Sequence, residues 1–175
     1  MDAQATARAA RVKLMIFDVD GVLTDGSLHY AAEGEILKTF NVLDGLGIKL
    51  LQQSGVATAI ITARQSPIIT KRAADLGIPY LFQGAHDKLA AFELLQKQAG
   101  VSADACGFIG DDIIDLPIIL RAGFTASVPK GHPEVTSRVH YLTKADGGHG
   151  AVRELCDLIL RAQGNYEAAI VPYLR

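Results

Sequence analysis

The chain has 175 residues and a mass of 18.6 kDa, a length that suits one compact domain burying roughly 70% of the surface its unfolded chain exposes. It is 49% hydrophobic and 21% charged, with 17 Lys+Arg against 19 Asp+Glu; this excludes wholesale disorder, and a net charge of -2 lacks the footprint of a general nucleic-acid binder while leaving room for a local basic pocket. No apolar run approaches the roughly 20 residues of a membrane span, residues 1–11 carry no apolar signal core, and Cys106 and Cys156 stand isolated, so the expectation is a cytoplasmic protein with two reduced core thiols and neither a nucleic-acid nor a membrane partner.

After a polar tail over 1–11, Val12–Phe17 reads as a buried strand that ends in acidic residues. Ser27–Phe40 carries Leu28, Tyr30, Ile36 and Phe40 on either side of Glu33-Gly34-Glu35, the pattern of a hairpin protruding from the main sheet. A helix is predicted over Asp44–Ser54, stopped by Gly55 as a left-handed cap. Strand Val56–Ile61, helix Pro67–Leu76 ending at Gly77, and strand Tyr80–Phe82 follow. Helix Asp87–Ala99 is capped by Gly100; strand Ala105–Ile109, helix Ile113–Ala122, strand Thr125–Val128 and a last helix over Ala151–Ala162 complete the series. Strands alternating with helices of this length indicate parallel crossover units. The fold class is therefore α/β, a doubly wound parallel sheet, with 1–175 as a single domain, a flap over about 27–40 and tails over 1–11 and 164–175. Function belongs at the carboxyl ends of the strands.

Four strand ends supply chemistry. The first strand runs into Asp18-Val19-Asp20-Gly21, the second into Thr62-Ala63-Arg64; Lys88 starts the helix after the third, and the fourth ends in Gly110-Asp111-Asp112-Ile113-Ile114-Asp115. Taken singly, an Asp-x-Asp is often a turn or cap, and Thr62 or Lys88 is more often a cap and a solvated charge. Asp115 is read equally as a supporting partner or as an early-helix acid favoured by the helix dipole.

The ordered set Asp18/Asp20, Thr62, Lys88 and Asp111 resembles the four motifs of the haloacid dehalogenase superfamily of phosphohydrolases and covers essentially the whole core. The resemblance implies a Rossmann-like haloacid dehalogenase fold, with Asp18 as a nucleophile that forms an aspartyl-phosphate and Asp20 as the acid/base. It also implies Thr62 as a holder of a phosphoryl oxygen and Lys88 as the group that neutralises charge and orients Asp18. A phosphate monoester is a dianion, so a carboxylate that attacks it needs charge compensation. Mg²⁺ is the expected cofactor, held by Asp18, Asp111 and the backbone of Asp20, with Asp112 supporting the shell.

The chain has no room for a cap domain: only the hairpin lies between Asp25 and Asp44, and only one helix and one strand between Lys88 and Asp111. Either a macromolecular substrate or neighbouring subunits must then close the site, and the apolar residues of the hairpin favour subunits. The run Asp18–Gly26, with Gly34-Glu35, Lys38, Phe40-Asn41-Val42, Asp44-Gly45, Gly47-Ile48-Lys49 and Gly147–Glu154, is similar to the capless, tetrameric branch that dephosphorylates eight- and nine-carbon 2-keto-3-deoxy sugar-acid phosphates. This implies a homotetramer acting on a small sugar-acid phosphate in lipopolysaccharide inner-core biosynthesis. The implied substrate contacts are Asp20, Asn41, Val42, Leu43, Asp44, Gly45, Lys49, Arg64, Arg72, Lys88 and Asp112. Arg72, about two helical turns from Arg64, is expected to serve a neighbouring subunit's site or to be a solvated face. His149 stands where that branch has an arginine; the other histidines read as surface or capping residues, and Met15, Phe17, Phe92 and Phe108 as core. Ile170–Tyr173 reads either as an arm reaching a neighbouring site or as disorder. A phospho-acceptor signalling domain shares the acids, Thr and Lys, but there the phosphorylated Asp lies on a later strand than the paired acids.

Overall fold

Leu14–Phe17 has no polar side chain, and all four residues are buried; a strand covered on both faces is the centre of a parallel sheet. Met15 and Phe17 join one apolar layer, Leu14 and Ile16 the other, as the two-residue period of a strand requires. The computed structural model describes residues 3–175. Its strands are β1 (Leu14–Phe17), β2 (His29–Ala31), β3 (Gly34–Leu37), β4 (Ala57–Ile61), β5 (Tyr80–Phe82), β6 (Cys106–Ile109), β7 (Phe124–Ser127) and β8 (Tyr141–Leu142). Six pair in parallel in the order β5-β4-β1-β6-β7-β8, and β2 and β3 form a separate antiparallel ribbon. After β1 the chain crosses to β4 and β5, then returns past β1 to β6. The order therefore reverses between β1 and β6, and the crevice outside their carboxyl ends is where such a sheet binds a ligand.

The helices are α1 (Ala3–Ala9), α2 (Val42–Gln53), α3 (Pro67–Leu76), α4 (Lys88–Ala99), α5 (Leu116–Ile119), α6 (Pro133–Thr136), α7 (Ala151–Ala162) and α8 (Tyr166–Ile170). Residues of α1, α2, α3, α7 and α8 pack in the layer of Met15 and Phe17; those of α4, α5 and α6 pack in the layer of Leu14 and Ile16. The doubly wound architecture is as expected, and α3, β5 and α7 have their predicted bounds. Cys106 and Cys156 are buried free thiols, and Met15, Phe17, Phe92 and Phe108 are buried core.

Several expectations need correction. The stretch read as a polar tail contains α1, whose Ala5 and Ala9 are buried while Arg8 Nη1 donates to the Gly123 carbonyl at 3.0 Å. A seven-residue alanine-rich helix is marginal alone, and tertiary packing makes it. Helix α2 starts at Val42 rather than Asp44, because the Asn41 side chain caps it by accepting from the Leu43 N–H at 2.8 Å; it ends as expected at Gly55, whose φ of +93° and N–H to the Gln52 carbonyl at 3.0 Å make the left-handed stop after Ser54. The single helix expected over Ile113–Ala122 is a 3₁₀ turn, Ile113–Asp115, followed by the short α5. Pro117 has no N–H to return to Ile113, so a continuous helix is interrupted there. Helix α7 is not the last, since α8 and a 3₁₀ turn at Val171–Tyr173 follow it. Helix α6 and strand β8, too short to leave a periodic signal, lie in a stretch given no elements. Among the described residues no helix is long and apolar enough to cross a membrane.

Candidate active site

Beyond β1 the chain makes one tight turn, in which the N–H groups of Val22, Leu23 and Thr24 all reach the Val19 carbonyl. The Thr24 hydroxyl accepts from Gly21 N–H at 3.3 Å and Gly26 N–H at 3.2 Å. Gly21 has φ +88°, and a Cβ there would lie 2.1 Å from Asp111 Oδ2; only glycine allows both the left-handed backbone and this approach. The glycine-rich segment before α7 closes on the same turn, for a Cβ at Gly147 would lie 1.8 Å from the Gly21 carbonyl oxygen. Strand pairing and the Gly21 contact thus press the loop after β1 against the loop after β6, and Gly147 seats the segment before α7 on the same turn.

The result is a buried acid cluster. Carboxylate oxygens of Asp18, Asp111 and Asp115 lie within 4.8 Å of one another. Lys88, at the start of α4 with its side chain fully buried, donates to Asp18 Oδ1 at 2.9 Å and to Asp115 Oδ1. Asp115 Oδ2 accepts the N–H groups of Asp111 and Asp112 at 3.0 and 3.2 Å. Both Asp115 oxygens are therefore engaged within the protein, and Asp115 braces the lysine and the loop. Asp18 and Asp111 face each other with oxygens left over.

Three carboxylates against one ammonium leave two negative charges uncompensated. Burial, then the Asp115 charge, push the Asp18 carboxyl up to about 8; burial, then Asp115 and Asp112, push Asp111 up to about 7. Burial works against the Lys88 ammonium, but Asp18 and Asp115 outweigh it and raise its pKa. A hard divalent cation supplies the missing charge, and carboxylates are the donors it takes. The donor set fits such an ion. A cavity of about 100 Å³ opens beside it, with Gly21, Asp25, Asp111, Lys130, Gly147 and His149 among its walls. A larger hollow, about 460 Å³, is lined by residues such as Arg11, Lys13, Ser54 and Gln163 and holds none of the strand-end acids.

Asp20 turns away from this cluster toward the ribbon. Its Oδ1 accepts from Lys38 Nζ, and Arg64 Nε lies 3.8 Å from its Oδ2. Lys38 is buried and also pairs with Glu35 Oε1 at 2.9 Å. The Glu35 carboxyl is drawn below its ordinary value: burial opposes this, but Ser66, Lys38 and Arg64 outweigh it. Arg64 also donates to the Tyr30 hydroxyl and sits 5.8 Å from that ring centroid.

The other expected positions divide. Thr62 is buried at the end of β4, its hydroxyl accepting from Arg64 N–H at 3.3 Å. Asn41 caps α2 and donates to the Gly148 carbonyl at 3.3 Å; Val42 and Leu43 are exposed beside it. Asp44 is buried and accepts the Arg153 N–H of α7 at 2.7 Å; its carboxyl is raised by burial against the opposing amides of α7. That bond ties α2 to α7. Arg72 Nη2 donates to the Asn41 carbonyl at 3.3 Å, its guanidinium lies 5.3 Å from the Phe40 ring, and a Cβ at Gly45 would meet it at 2.6 Å, so it is neither a solvated face nor free of its own chain. Lys49 is exposed on α2. Asp112 is exposed and caps the following turn through Ile113 N–H at 2.7 Å. His149 packs on the Gly147 carbonyl at 2.9 Å, and His132 caps α6. The residues that strand-end reasoning did not assign are Lys38 and Glu35. The available signal was a Glu and a Lys three apart, flanking Ile36 and Leu37.

No protein-family profile matches the chain. A 3-deoxy-D-manno-octulosonate 8-phosphate phosphatase of Yersinia pestis is 45% identical over 162 residues, covering 93% of this chain and 87% of that protein. The Escherichia coli K12 enzyme of the same description is 42% identical over 169 residues, covering 97% and 90%. A crystal structure of the Moraxella catarrhalis phosphatase, in complex with magnesium, phosphate and KDO (3-deoxy-D-manno-octulosonate), superimposes with a TM-score of 0.96 at 44% identity, covering 99% of each chain.

Proposed function

Since the chain belongs to the 3-deoxy-D-manno-octulosonate 8-phosphate phosphatase family of the haloacid dehalogenase superfamily and is a phosphoric monoester hydrolase, we propose that it hydrolyses that eight-carbon sugar-acid phosphate through an aspartyl-phosphate on Asp18. The observation that carries this reading is the facing of Asp18 and Asp111 across the β1/β6 crevice, with Lys88 bonded behind them. A Mg²⁺ ion held by Asp18, Asp111 and the Asp20 backbone would supply positive charge against the burial and the Asp115 charge that otherwise keep Asp18 protonated near neutral pH.

A carboxylate oxygen of Asp18 attacks phosphorus while the ester P–O bond breaks, and Asp20 gives a proton to the departing alcohol. Asp20 then takes a proton from water, the water oxygen attacks the phosphoryl group, and inorganic phosphate leaves with Asp18 restored. The Thr62 hydroxyl and the Lys88 ammonium hold phosphoryl oxygens and developing charge. Arg64, beside Asp20 and partly exposed, offers a planar two-pronged donor to the substrate carboxylate; Arg72 and Asn41–Gly45 form the wall next to it.

A homotetramer whose neighbouring subunits close the site fits the exposed apolar residues of the ribbon, Leu28, Tyr30, Ile36 and Leu37. The product serves lipopolysaccharide inner-core synthesis in the cytoplasm. The test is phosphate release from 3-deoxy-D-manno-octulosonate 8-phosphate, with and without chelation, beside a nine-carbon 9-phosphate. A higher kcat/KM on the eight-carbon ester with loss on chelation is expected; preference for the nine-carbon ester or indifference to chelator rejects the assignment.

A further inference from the structure

The ribbon inverts the ordinary pattern of a protein surface. Ile36 and Leu37 are 62% and 50% exposed, while Lys38, the next residue, is 6% exposed. A lysine normally keeps its ammonium in water even when its stem is covered, and a buried ammonium persists only when paired. Here the partners are Glu35, on the ribbon itself, and Asp20, on the loop after β1. The pairing is asymmetric at Asp20. Lys38 takes Oδ1, whereas Oδ2 is buried and has no hydrogen-bond partner among the described residues, Arg64 Nε standing 3.8 Å away. One carboxylate oxygen is anchored and the other is left bare.

We propose that Lys38 is a positioning residue for proton transfer: by holding Asp20 Oδ1 it fixes the carboxyl plane so that Oδ2 carries the proton to the leaving ester oxygen and later receives one from water. The proposal rests on the reading of Asp20 as the acid/base. It assigns the ribbon a part in the chemistry as well as in covering the site, since the ribbon is the element that delivers Lys38. The step balances on Oδ2 alone. Its proton passes to the bridging oxygen as the P–O bond breaks, the carboxylate so formed removes a proton from water, and Lys38 stays an ammonium throughout.

A leaving group that needs no proton separates this role from general damage. In Lys38→Ala, kcat/KM on 3-deoxy-D-manno-octulosonate 8-phosphate is expected to fall about 100-fold, within the range that misplacing an acid/base produces. On 2,4-dinitrophenyl phosphate, whose phenolate departs unprotonated, the change is expected to stay under about threefold. Propylammonium, entering the space vacated by the side chain, is expected to recover at least about tenfold of the loss on the sugar ester and nothing on the aryl ester. Should Lys38→Ala melt below the assay temperature, Lys38→Met is measured on the same pair of esters. Equal losses on both esters, or a loss under about threefold on the sugar ester, overturn the proposal. Asp20→Asn shows which level fails: it should give the same split between esters, with Lys38→Ala adding no more than about threefold in that background. If Asp20→Asn shows no split, the acid/base reading itself falls and the proposal with it; if Asp20→Asn splits but Lys38→Ala does not, the fault lies with Lys38 alone.

Discussion

At the β1/β6 crevice, carboxylates crowd together just beyond the wholly apolar strand β1; in the β2–β3 ribbon, apolar side chains stand in solvent while a lysine and a glutamate are tucked beneath them. The crevice is an electrostatically frustrated place on a rigid frame. Asp18, Asp111 and Asp115 crowd one Lys88, and strand pairing prevents them from moving apart. The ribbon has no such frame, and its seat on the site consists of charged contacts from Lys38 and Glu35 to Asp20 and Arg64, with Arg64 also held by Tyr30. A core can therefore hold unfavourable charges for later use, whereas a surface appendage must be attached by favourable ones.

The sharpest way to break this contrast is to discharge the crevice. Asp18→Asn is expected to lower kcat by at least about 10⁴-fold while the protein stays folded, and chelation of divalent ions should abolish turnover of the unmutated enzyme. Retained phosphatase activity in Asp18→Asn rejects the nucleophile. Gly21→Ala comes next. Its methyl would overlap Asp111 Oδ2, and the left-handed backbone adds about 1–3 kcal/mol of strain, so a lower Tm and about a 100-fold loss of kcat are expected from displacement of Asp111. Wild-type values for both would show that the two loops are not pressed together.

Frustration also predicts a dependence on pH. In the fold, Asp18 and Asp111 hold protons up to about 8 and about 7, against an ordinary value of 3.8. Between those limits the folded state binds more protons than the unfolded one, so the metal-free protein should lose stability as pH rises from about 4 to 8. Thermal melts in chelator should show Tm falling across that window, and Mg²⁺ should raise Tm more at its upper end; a flat profile would mean the acids are not strained against one another. The smallest effect on chemistry belongs to the outer face of the ribbon. Ile36→Ser with Leu37→Ser should reduce the mass seen by analytical ultracentrifugation, with kcat falling only a few fold at high protein concentration. An unchanged mass would leave that face uninvolved in assembly.

Legibility followed the range of the interaction. Helix α3 could be read to the residue because Ser66, Pro67 and Gly77 punctuate it locally, and the strand-end acids could be read because apolar runs stop at them. Helix α1 was not legible, since its alanines gain order only by packing in the layer that includes α7. The even choice over Asp115 resolved toward a brace because its two oxygens meet Lys88 and two loop amides. Asp44 reads as a pocket residue, and the structure adds that its Oδ1 accepts the Arg153 N–H at the amino end of α7, more than a hundred residues away. No spacing rule pairs such partners.

By itself the sequence determined that strands would stop at Phe17, Ile61, Phe82 and Ile109, because hydrophobic period, caps and glycine breaks act over a few residues. It thereby also determined that Asp18, Thr62, Lys88 and Asp111 would arrive at one edge of a parallel sheet. Only the tertiary structure decided how those groups are charged and held: that three acids share one lysine, and that Lys38 reaches back from the ribbon to Asp20. Burial and through-space charge depend on distances between remote parts of the chain, and those distances exist only once the strands have paired.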